Sequence, residues 1–298
     1  FDFEEANLSR ELWFAEGFTS YYDDLLLARS GIISTDDFAR RIGGAIDAVV
    51  NAPGRRLRSP VEMSMRAPFV DAATSVDPTN EANTFVSYYT WGSVVGLGLD
   101  LSLRSSFEGV TLDDYMRALW RRYGVTGEPY DVDDLEETLA QVTGDAAFAR
   151  DFFDRYVRGR EVPDFGSMLA SAGMVLERAR PGRPLLLRTD ARPVEGGLEL
   201  TAPTLRGSPL YEAGADRGDV VRSVAGVELG GSGVSAGLAR ALRGRRPGEA
   251  VEVVYDSRGR RRAVTVTLAE DPTLRVRAEA RPGGAERAFR EAWLGGGG

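Results

Sequence analysis

Three residue types on which many enzyme sites depend are missing from this 298-residue chain: cysteine, histidine and lysine. The lack of cysteine excludes disulfides, thiolate metal sites and a cysteine nucleophile. The lack of histidine means that the chain alone cannot build a serine–histidine triad, a histidine-ligated zinc site or an imidazole general base. All 37 basic residues are arginine, which also excludes Schiff-base chemistry and the lysine of a phosphate-binding loop.

Long hydrophobic runs are missing as well. The sequence has no stretch of about 18 uncharged apolar residues, so no transmembrane helix is expected. No signal peptide follows Phe1, and because the first residue is not methionine we expect the chain to have been cut from something longer. The lack of cysteine is compatible with the cytoplasm and with the periplasm, so the localisation stays open.

The charges are distributed unevenly along the chain. Residues 1–170 carry 29 acidic side chains and 16 arginines, whereas residues 171–298 carry 16 acidic side chains and 21 arginines. The acidic first part argues against nucleic acid as a partner. The arginines of the second part are scattered, which favours a solvated surface over a binding patch for acidic ligands.

The first 160 residues have the apolar spacing that is typical of helices. Thr35, followed by two aspartates, predicts a helix N-terminus with Thr35 as the cap. Residues 51–83 contain polar clusters, proline and glycine, and they predict a long irregular connection of the kind that often carries function. The predicted helices cover residues 8–29, 35–50, 88–105, 111–123, 132–143 and 145–158.

The second part of the chain has short alternating apolar segments between glycines and prolines, which predict strands. Residues 251–256 and 263–268 flank the turn-like segment Ser257–Arg260 and therefore predict a β-hairpin. Residues 237–243 predict a short helix, and residues 281–294 predict a terminal helix. These elements indicate a small, separate domain rich in β-strands.

A glutamate lies in the middle of an unusually aromatic helical segment. The aromatic residues around Glu16 are Trp13, Phe14, Phe18, Tyr21 and Tyr22. Nearly every face of such a helix is apolar, so we expect the helix to be buried and Glu16 with it. A buried carboxylate needs a positive partner, a metal ion or a proton, which makes Glu16 a candidate metal ligand. The alternative is that Glu16 points to solvent on a narrow polar stripe with Thr19 and Asp23.

The segment Trp13–Tyr22, with the sequence WFAEGFTSYY, closely resembles the glycyl aminopeptidase family of zinc peptidases. These are thermolysin-like (gluzincin) enzymes with an appended PDZ domain. The resemblance implies that Glu16 is the third zinc ligand. In that family the first two ligands are histidines of an upstream HExxH helix, and the glutamate of that motif is the general base.

The chain departs from the family in having no histidine and therefore no HExxH motif. A catalytic zinc ion needs three protein ligands and an open position, and this chain offers only Glu16. We therefore expect Zn²⁺ in the intact parent protein, and we expect the chain by itself to bind no zinc tightly and to hydrolyse nothing.

A second candidate lies at the start of the helix predicted from residue 88. The segment Tyr89–Gly92 is similar to the Tyr-x-Lys-Gly motif of related zinc aminopeptidases, although tryptophan replaces the lysine. The resemblance implies that Tyr89, rather than Tyr88, stabilises the oxyanion; from the residues alone, core packing is the alternative. Arg104 on the same helix is a candidate for binding substrate, with a structural ion pair as its alternative.

The segment Gly207–Val221 resembles the Ser-Pro-Ala-x-x-Ala-Gly-Leu-x-x-Gly-Asp-x-Ile run of bacterial PDZ domains. PDZ domains bind an extended peptide by strand addition and often capture its C-terminal carboxylate in a loop of N–H groups. The resemblance implies that Leu185, Leu186 and Leu187 form this peptide-binding loop. Pro184 lacks an N–H donor there, so the domain either captures a peptide or packs against the catalytic part.

Together these patterns predict a multi-domain α + β protein. Residues 1–165 are expected to form the mostly α-helical half of a thermolysin-like catalytic domain, residues 172–270 a PDZ-like β-rich domain, and residues 271–298 a C-terminal tail with a short helix. The resemblance implies that the intact parent removes N-terminal glycine or alanine from peptides by metal-activated water. The alternative function is a non-catalytic PDZ-type peptide-binding or scaffolding protein. The expected partners are peptide substrates and the C-terminus of a peptide, without nucleic acid.

Overall fold

The chain has a mixed α/β fold that divides into two compact units, each with its own hydrophobic core. The computed structural model describes residue 4 and residues 8–70, 80–230 and 234–295. The helical unit comprises residues 1–76, 85–177 and 274–298, and the sheet unit comprises residues 77–84 and 178–273.

The helices and strands have the following bounds. The helices are α1 (Leu12–Arg29), α2 (Thr35–Val50), α3 (Pro60–Ser64), α4 (Ala67–Val70), α5 (Glu81–Thr84), α6 (Tyr88–Ser106), α7 (Leu112–Leu119), α8 (Val132–Thr143), α9 (Ala146–Phe152), α10 (Phe165–Ala170), α11 (Pro209–Glu212), α12 (Val234–Leu242) and α13 (Gly284–Leu294). The strands are β1 (Met174–Arg178), β2 (Pro184–Leu185), β3 (Ala191–Val194), β4 (Gly197–Leu200), β5 (Val220–Val224), β6 (Val227–Glu228), β7 (Ala250–Ser257), β8 (Arg260–Thr267), β9 (Ala269–Glu270) and β10 (Leu274–Ala278). Turns of π-helix, Trp120–Gly124 and Phe153–Val157, continue α7 and α9.

The predicted long helices are present, with small differences at their ends. The cap of α2 is Ser34 rather than Thr35, because the Ser34 hydroxyl accepts a hydrogen bond from the Asp37 N–H at 3.1 Å. The Asp37 carboxylate in turn accepts from the Ser34 N–H, which completes a capping box. Thr35 is therefore the first helical residue, and the prediction of Thr35 as the cap was wrong by one position.

The segment predicted as one irregular connection contains helices instead. Ser59 caps α3 in a capping box with Glu62, and Pro60 occupies the first helical position, where its missing N–H costs nothing. The hydroxyl of Ser64 at the end of α3 accepts a hydrogen bond at 2.9 Å from the N–H of Trp13 in the first turn of α1. This buried bond satisfies one of the free donors at the start of α1. Residues 71–79 of the connection lie outside the described residues.

The C-terminal segment belongs to the helical unit. From Leu274 onward the chain is part of this unit, where β10 pairs with β1 and packs on α2. A Cβ added at Gly43 of α2 would lie 2.6 Å from the backbone nitrogen of Val276, so glycine is required for this approach. Residues 271–298 were predicted to form a tail with a short helix, whereas most of this segment belongs to the helical unit.

The sheet unit is built around a six-stranded antiparallel sheet with the order β3-β4-β5-β7-β8, in which β6 pairs with β5. The predicted hairpin is confirmed as β7 and β8, with Ser257 opposite Arg260. Its two turn residues, Arg258 and Gly259, have φ angles of 50° and 74°, as a two-residue type I′ turn requires. The hairpin therefore forms from local signals that the sequence contains.

Candidate active site

The candidate site lies on α1 and α6, which cross at two glycines. A Cβ added at Gly92 would lie 2.7 Å from the Cα of Gly17 and would overlap the carbonyl oxygen of Trp13. The two helix backbones are therefore in direct contact, which only glycine allows at these positions. Glu16 immediately precedes Gly17, and Tyr89 lies one turn before Gly92. The crossing thus fixes the register between the two helices that carry these side chains.

Glu16 is half-buried rather than buried, which corrects the expectation from its aromatic surroundings. Ala15, Thr19 and Asp23 form an exposed stripe at helical spacing, and Glu16 borders it. This arrangement agrees in part with the alternative that Glu16 lies on a polar stripe, because one side of α1 faces solvent. Within the described part of the chain, the structure shows no hydrogen bond or ion pair to the Glu16 carboxylate. Glu16 therefore presents an accessible pair of acceptor oxygens.

Tyr89 is the accessible member of a tyrosine pair at the start of α6. Tyr89 is 42% exposed, whereas Tyr88 is 3% exposed. The two rings stack with centroids 5.1 Å apart, so Tyr88 anchors the pair in the core and supports the Tyr89 ring. An exposed phenol on a fixed ring can donate a hydrogen bond to a ligand. The choice of Tyr89 over Tyr88 stays a prediction, and the exposure of the two side chains supports it.

Arg104 lies in a buried ion pair. Its Nε donates to Oδ1 of Asp100 at 2.8 Å, and the two side chains are 8% and 0% exposed. The hydroxyl of Tyr21 donates to the other Asp100 oxygen at 2.8 Å. Burial and the negative charge of Asp100 raise the pKa of Tyr21 well above its ordinary value, so the phenol keeps its proton. This geometry favours the structural ion pair that the sequence left open and leaves Arg104 little surface for contact with substrate.

The three leucines of the predicted peptide-binding loop have different environments. Leu185 belongs to β2 and lies opposite Ala269 of β9. Leu186 is 1% exposed in the core of the sheet unit, so its side chain is not available to a ligand. Leu185 and Leu187 line a cleft of about 480 Å³. The three residues therefore do not share one binding surface.

A second cleft lies beside the same segment, between β2 and α12. Its volume is about 420 Å³, and it is lined by Arg183, Pro184, Leu238, Ala239 and Leu242. It combines apolar side chains of α12 with one guanidinium.

The donor set for a metal ion is incomplete in the part of the chain that the structure describes. No three histidine, cysteine, aspartate or glutamate side chains converge there. Glu16 can therefore contribute one carboxylate to a metal site whose other ligands come from elsewhere. None of the helices among these residues is both long and apolar enough to span a membrane.

Residues 1–95 match the model of the M61 glycyl aminopeptidase family. This part of the chain is similar to that family. The match includes Glu16, Gly17, Tyr89 and Gly92, which are the residues of the helix crossing. The match to the family model therefore includes the segment that forms the candidate site.

The fold of the chain is that of a crystallised aminopeptidase N family protein from Idiomarina loihiensis. The two are 24% identical, the TM-score is 0.82, and the alignment covers 99% of this chain and 50% of the Idiomarina protein. This chain thus spans about half the length of that protein.

Two other solved structures are similar over part of the chain. They are an HtrA-type protease with a decapeptide and the photosystem II D1 C-terminal processing protease. Each is 18% identical with a TM-score of 0.27, and they cover 32% and 54% of this chain, respectively. These scores are too low to support a structural conclusion. No curated protein matches the chain.

The sequence reasoning missed the role of Asp100. A signal was present, because Asp100 is the one acidic residue of α6 and Arg104 follows it by four residues. Its other partner, Tyr21, is 79 positions away in sequence, and local spacing gives no indication of that contact.

Proposed function

We propose that this chain is the C-terminal portion of a zinc-dependent aminopeptidase that removes glycine or alanine from the N-terminus of peptides. The observation that carries the proposal is the α1–α6 crossing at Gly17 and Gly92. It holds the half-buried Glu16 and the exposed Tyr89 in a fixed register, inside the segment that matches the peptidase family. Peptides are the substrates, and the family match supports this class.

The residues present fit one part of a zinc site. Glu16 offers a carboxylate that no other described side chain engages, and carboxylate oxygens are among the ligands that zinc accepts. The other two protein ligands and the general base would come from an upstream HExxH helix. A zinc ion held in this way acts as a Lewis acid and supplies activated water for hydrolysis.

Tyr89 has a separate role in this proposal. Its phenol donates a hydrogen bond to the oxygen of the scissile carbonyl as negative charge develops there. Donors of this kind lower the barrier because they are already oriented when the charge appears, and each contributes roughly 10²- to 10³-fold to kcat. The stacking of Tyr89 on the buried Tyr88 ring supplies that orientation.

The test compares two proteins: the parent, with its upstream segment, and this chain. The parent should hydrolyse glycine and alanine anilides, and a chelator should abolish the activity. This chain should bind zinc no more tightly than its Glu16→Gln variant. Turnover of the parent that survives complete removal of metal would reject the proposal, and so would nanomolar zinc binding by this chain.

A second candidate function is peptide binding by a PDZ-like sheet unit. The cleft beside α12 favours it, because Leu238 and Leu242 supply apolar walls and Arg183 supplies a charge for a carboxylate. A fluorescent peptide with a free C-terminus should then bind more tightly than its C-terminal amide, and Leu238→Glu should weaken both. Equal binding of the acid, the amide and a scrambled peptide would exclude this function.

A further inference from the structure

The C-terminal helix α13 makes hydrogen bonds with the helix that carries Glu16. The indole N–H of Trp293 donates to the hydroxyl of Tyr21 on α1 at 2.9 Å. Trp293 is fully buried, and Tyr21 lies five residues after Glu16 on the same helix. The contact therefore joins two elements that are 272 positions apart in sequence.

Two arginines bind the carbonyl groups at the end of α13. Nε of Arg29, the last residue of α1, donates to the carbonyl oxygen of Trp293 at 3.0 Å. A terminal nitrogen of Arg104 on α6 donates to the carbonyl oxygen of Ala292 at 2.9 Å. The last carbonyls of a helix lack partners within the helix and carry the negative end of its dipole, so arginines are well suited to bind them.

Acidic residues hold both arginines in place. Arg104 is paired with the buried Asp100, and Arg29 is paired with Asp113 at 2.9 Å. Asp113 also accepts a hydrogen bond at 2.8 Å from Tyr22, the neighbour of Tyr21 on α1. The end of α13 is thus bound at several points to α1 and α6, the two helices of the proposed site.

We propose that Trp293, with the end of α13, is a positioning residue for Glu16: it fixes the orientation of α1 relative to α6. We call these contacts of Ala292 and Trp293 with Tyr21, Arg29 and Arg104 the C-terminal latch. The role of Glu16 in this inference rests on the proposed function. The latch itself is independent of that function, because it consists of hydrogen bonds seen in the structure. It assigns a role to residues beyond the part of the chain that matches the family model.

The first test measures backbone amide exchange in this chain. Trp293→Phe keeps an aromatic ring against Phe38, whose centroid is 5.3 Å away, and removes the N–H donor together with part of the indole ring system. The loss of this hydrogen bond and of buried ring atoms should raise the exchange rates of the α1 amides around Tyr21 by at least roughly two- to tenfold, with less change in α8. Val276→Ala is the control, because Val276 packs on α2 at Gly43 and takes part in none of the latch hydrogen bonds.

The second test uses the parent protein with zinc. Trp293→Phe should weaken zinc binding, measured by chelator competition, and lower kcat by roughly two- to tenfold while KM stays nearly constant. Val276→Ala should lower the melting temperature without these changes. Amide exchange that rises equally in α1 and α8 would overturn the latch, and unchanged zinc affinity and kcat would overturn its positioning role. A wild-type parent without zinc-dependent turnover would reject the proposed function, while the exchange measurement would still decide whether the latch orders α1.

Discussion

At the scale of single residues, the candidate site depends on glycines more than on the side chains that flank them. Gly17 and Gly92 bring two helix backbones into contact, and Gly96 makes room for the ring of Phe18, which would lie 3.2 Å from an added Cβ. Glycine normally weakens a helix interior, so its presence three times in this crossing indicates that close approach outweighs helix propensity here. The positions of Glu16 and Tyr89 follow from that approach.

The first prediction concerns this crossing. Gly92→Ala should destabilise the helical unit by at least about 1–3 kcal/mol, because the new methyl group overlaps the backbone of α1 and the helices must separate. The free energy of unfolding from urea titration followed by tryptophan fluorescence provides the measurement.

Gly44→Ala on α2 is the matched control for that variant. Gly44 is exposed, and a Cβ there has no neighbour within 4 Å, so the same substitution should stabilise the chain by about 0.5–1 kcal/mol. Opposite signs for the two variants are expected. A Gly92→Ala variant as stable as wild type would show that α1 and α6 do not cross in direct contact.

The second prediction concerns the exposed phenol at the start of α6. In the parent protein, Tyr89→Phe should lower kcat by roughly 10²-fold and change KM much less, because the hydrogen bond to the oxyanion exists only in the transition state. Steady-state kinetics on an alanine anilide would measure both constants. Tyr88→Phe is the control, since that side chain is buried. Equal kcat values for wild type and Tyr89→Phe would remove Tyr89 from catalysis.

At the scale of elements, the β7–β8 hairpin shows how a partly buried carboxylate with two arginines supports strand pairing. Asp256 lies opposite Arg261 in the antiparallel register, and Nε of Arg261 donates to it at 2.9 Å. Arg222 on β5 donates to the other carboxylate oxygen at 2.8 Å. The hydrogen bonds from these two arginines lower the pKa of Asp256 from 3.8 to about 2. One carboxylate therefore connects three strands of the sheet.

The third prediction follows from the sign of this shift. A carboxyl group whose pKa is lower in the folded state stabilises the fold above its unfolded pKa and loses that contribution as the pH falls towards the folded value. The melting temperature of the sheet unit in wild type should therefore exceed that of Asp256→Asn above pH 4, and the difference should vanish near pH 2. Circular dichroism melts at several pH values give the measurement.

Another aspartate of the sheet unit provides the control for this pH dependence. Asp190 is exposed in the same unit, and among the described residues its carboxylate has no ion-pair partner. Asp190→Asn should therefore melt as the wild type does across the same pH range. A difference between wild type and Asp256→Asn that grows on acidification would contradict the assigned role of the arginines.

Elements with complete local signals could be predicted from the sequence. Helix α8 matches its predicted bounds because Asp131 caps its start and Gly144, with φ of 69°, follows its end. The β7–β8 hairpin was predicted for the same kind of reason. The similarity to the glycyl aminopeptidase family was also predicted correctly, from the aromatic segment around Glu16, which lies within the matched residues 1–95.

Features that depend on distant contacts could not be predicted in the same way. The sequence left the exposure of Glu16 open between a buried site and a polar stripe with Thr19 and Asp23, and the structure places Glu16 half-buried beside those two exposed residues. The return of the chain to the helical unit was missed, because the amphipathic pattern of α13 predicts a helix but does not indicate which unit that helix packs on. The bond between Trp293 and Tyr21 spans 272 positions, and no spacing in one sequence encodes such a pair.

At the scale of the whole molecule, the helical unit is discontinuous in sequence. Residues 178–273 of the sheet unit lie between β1 and β10, which pair with each other inside the helical unit. Each unit has its own core. The four tryptophans, at positions 13, 91, 120 and 293, all belong to the helical unit, so tryptophan fluorescence reports on that unit alone.

The last prediction uses this distribution of tryptophans. A chain that ends at Glu279 lacks α13 and with it the fully buried Trp293, whose loss should destabilise the helical unit by at least about 3–5 kcal/mol. Urea unfolding followed by fluorescence should shift to lower denaturant. Unfolding of the sheet unit should not shift; it can be followed by hydrogen exchange of the β7 and β8 amides, because the two cores share no residue. If the exchange of β7 and β8 rose in step with the fluorescence change, the two units would unfold as one cooperative body, and α13 would support the whole chain rather than the helical unit.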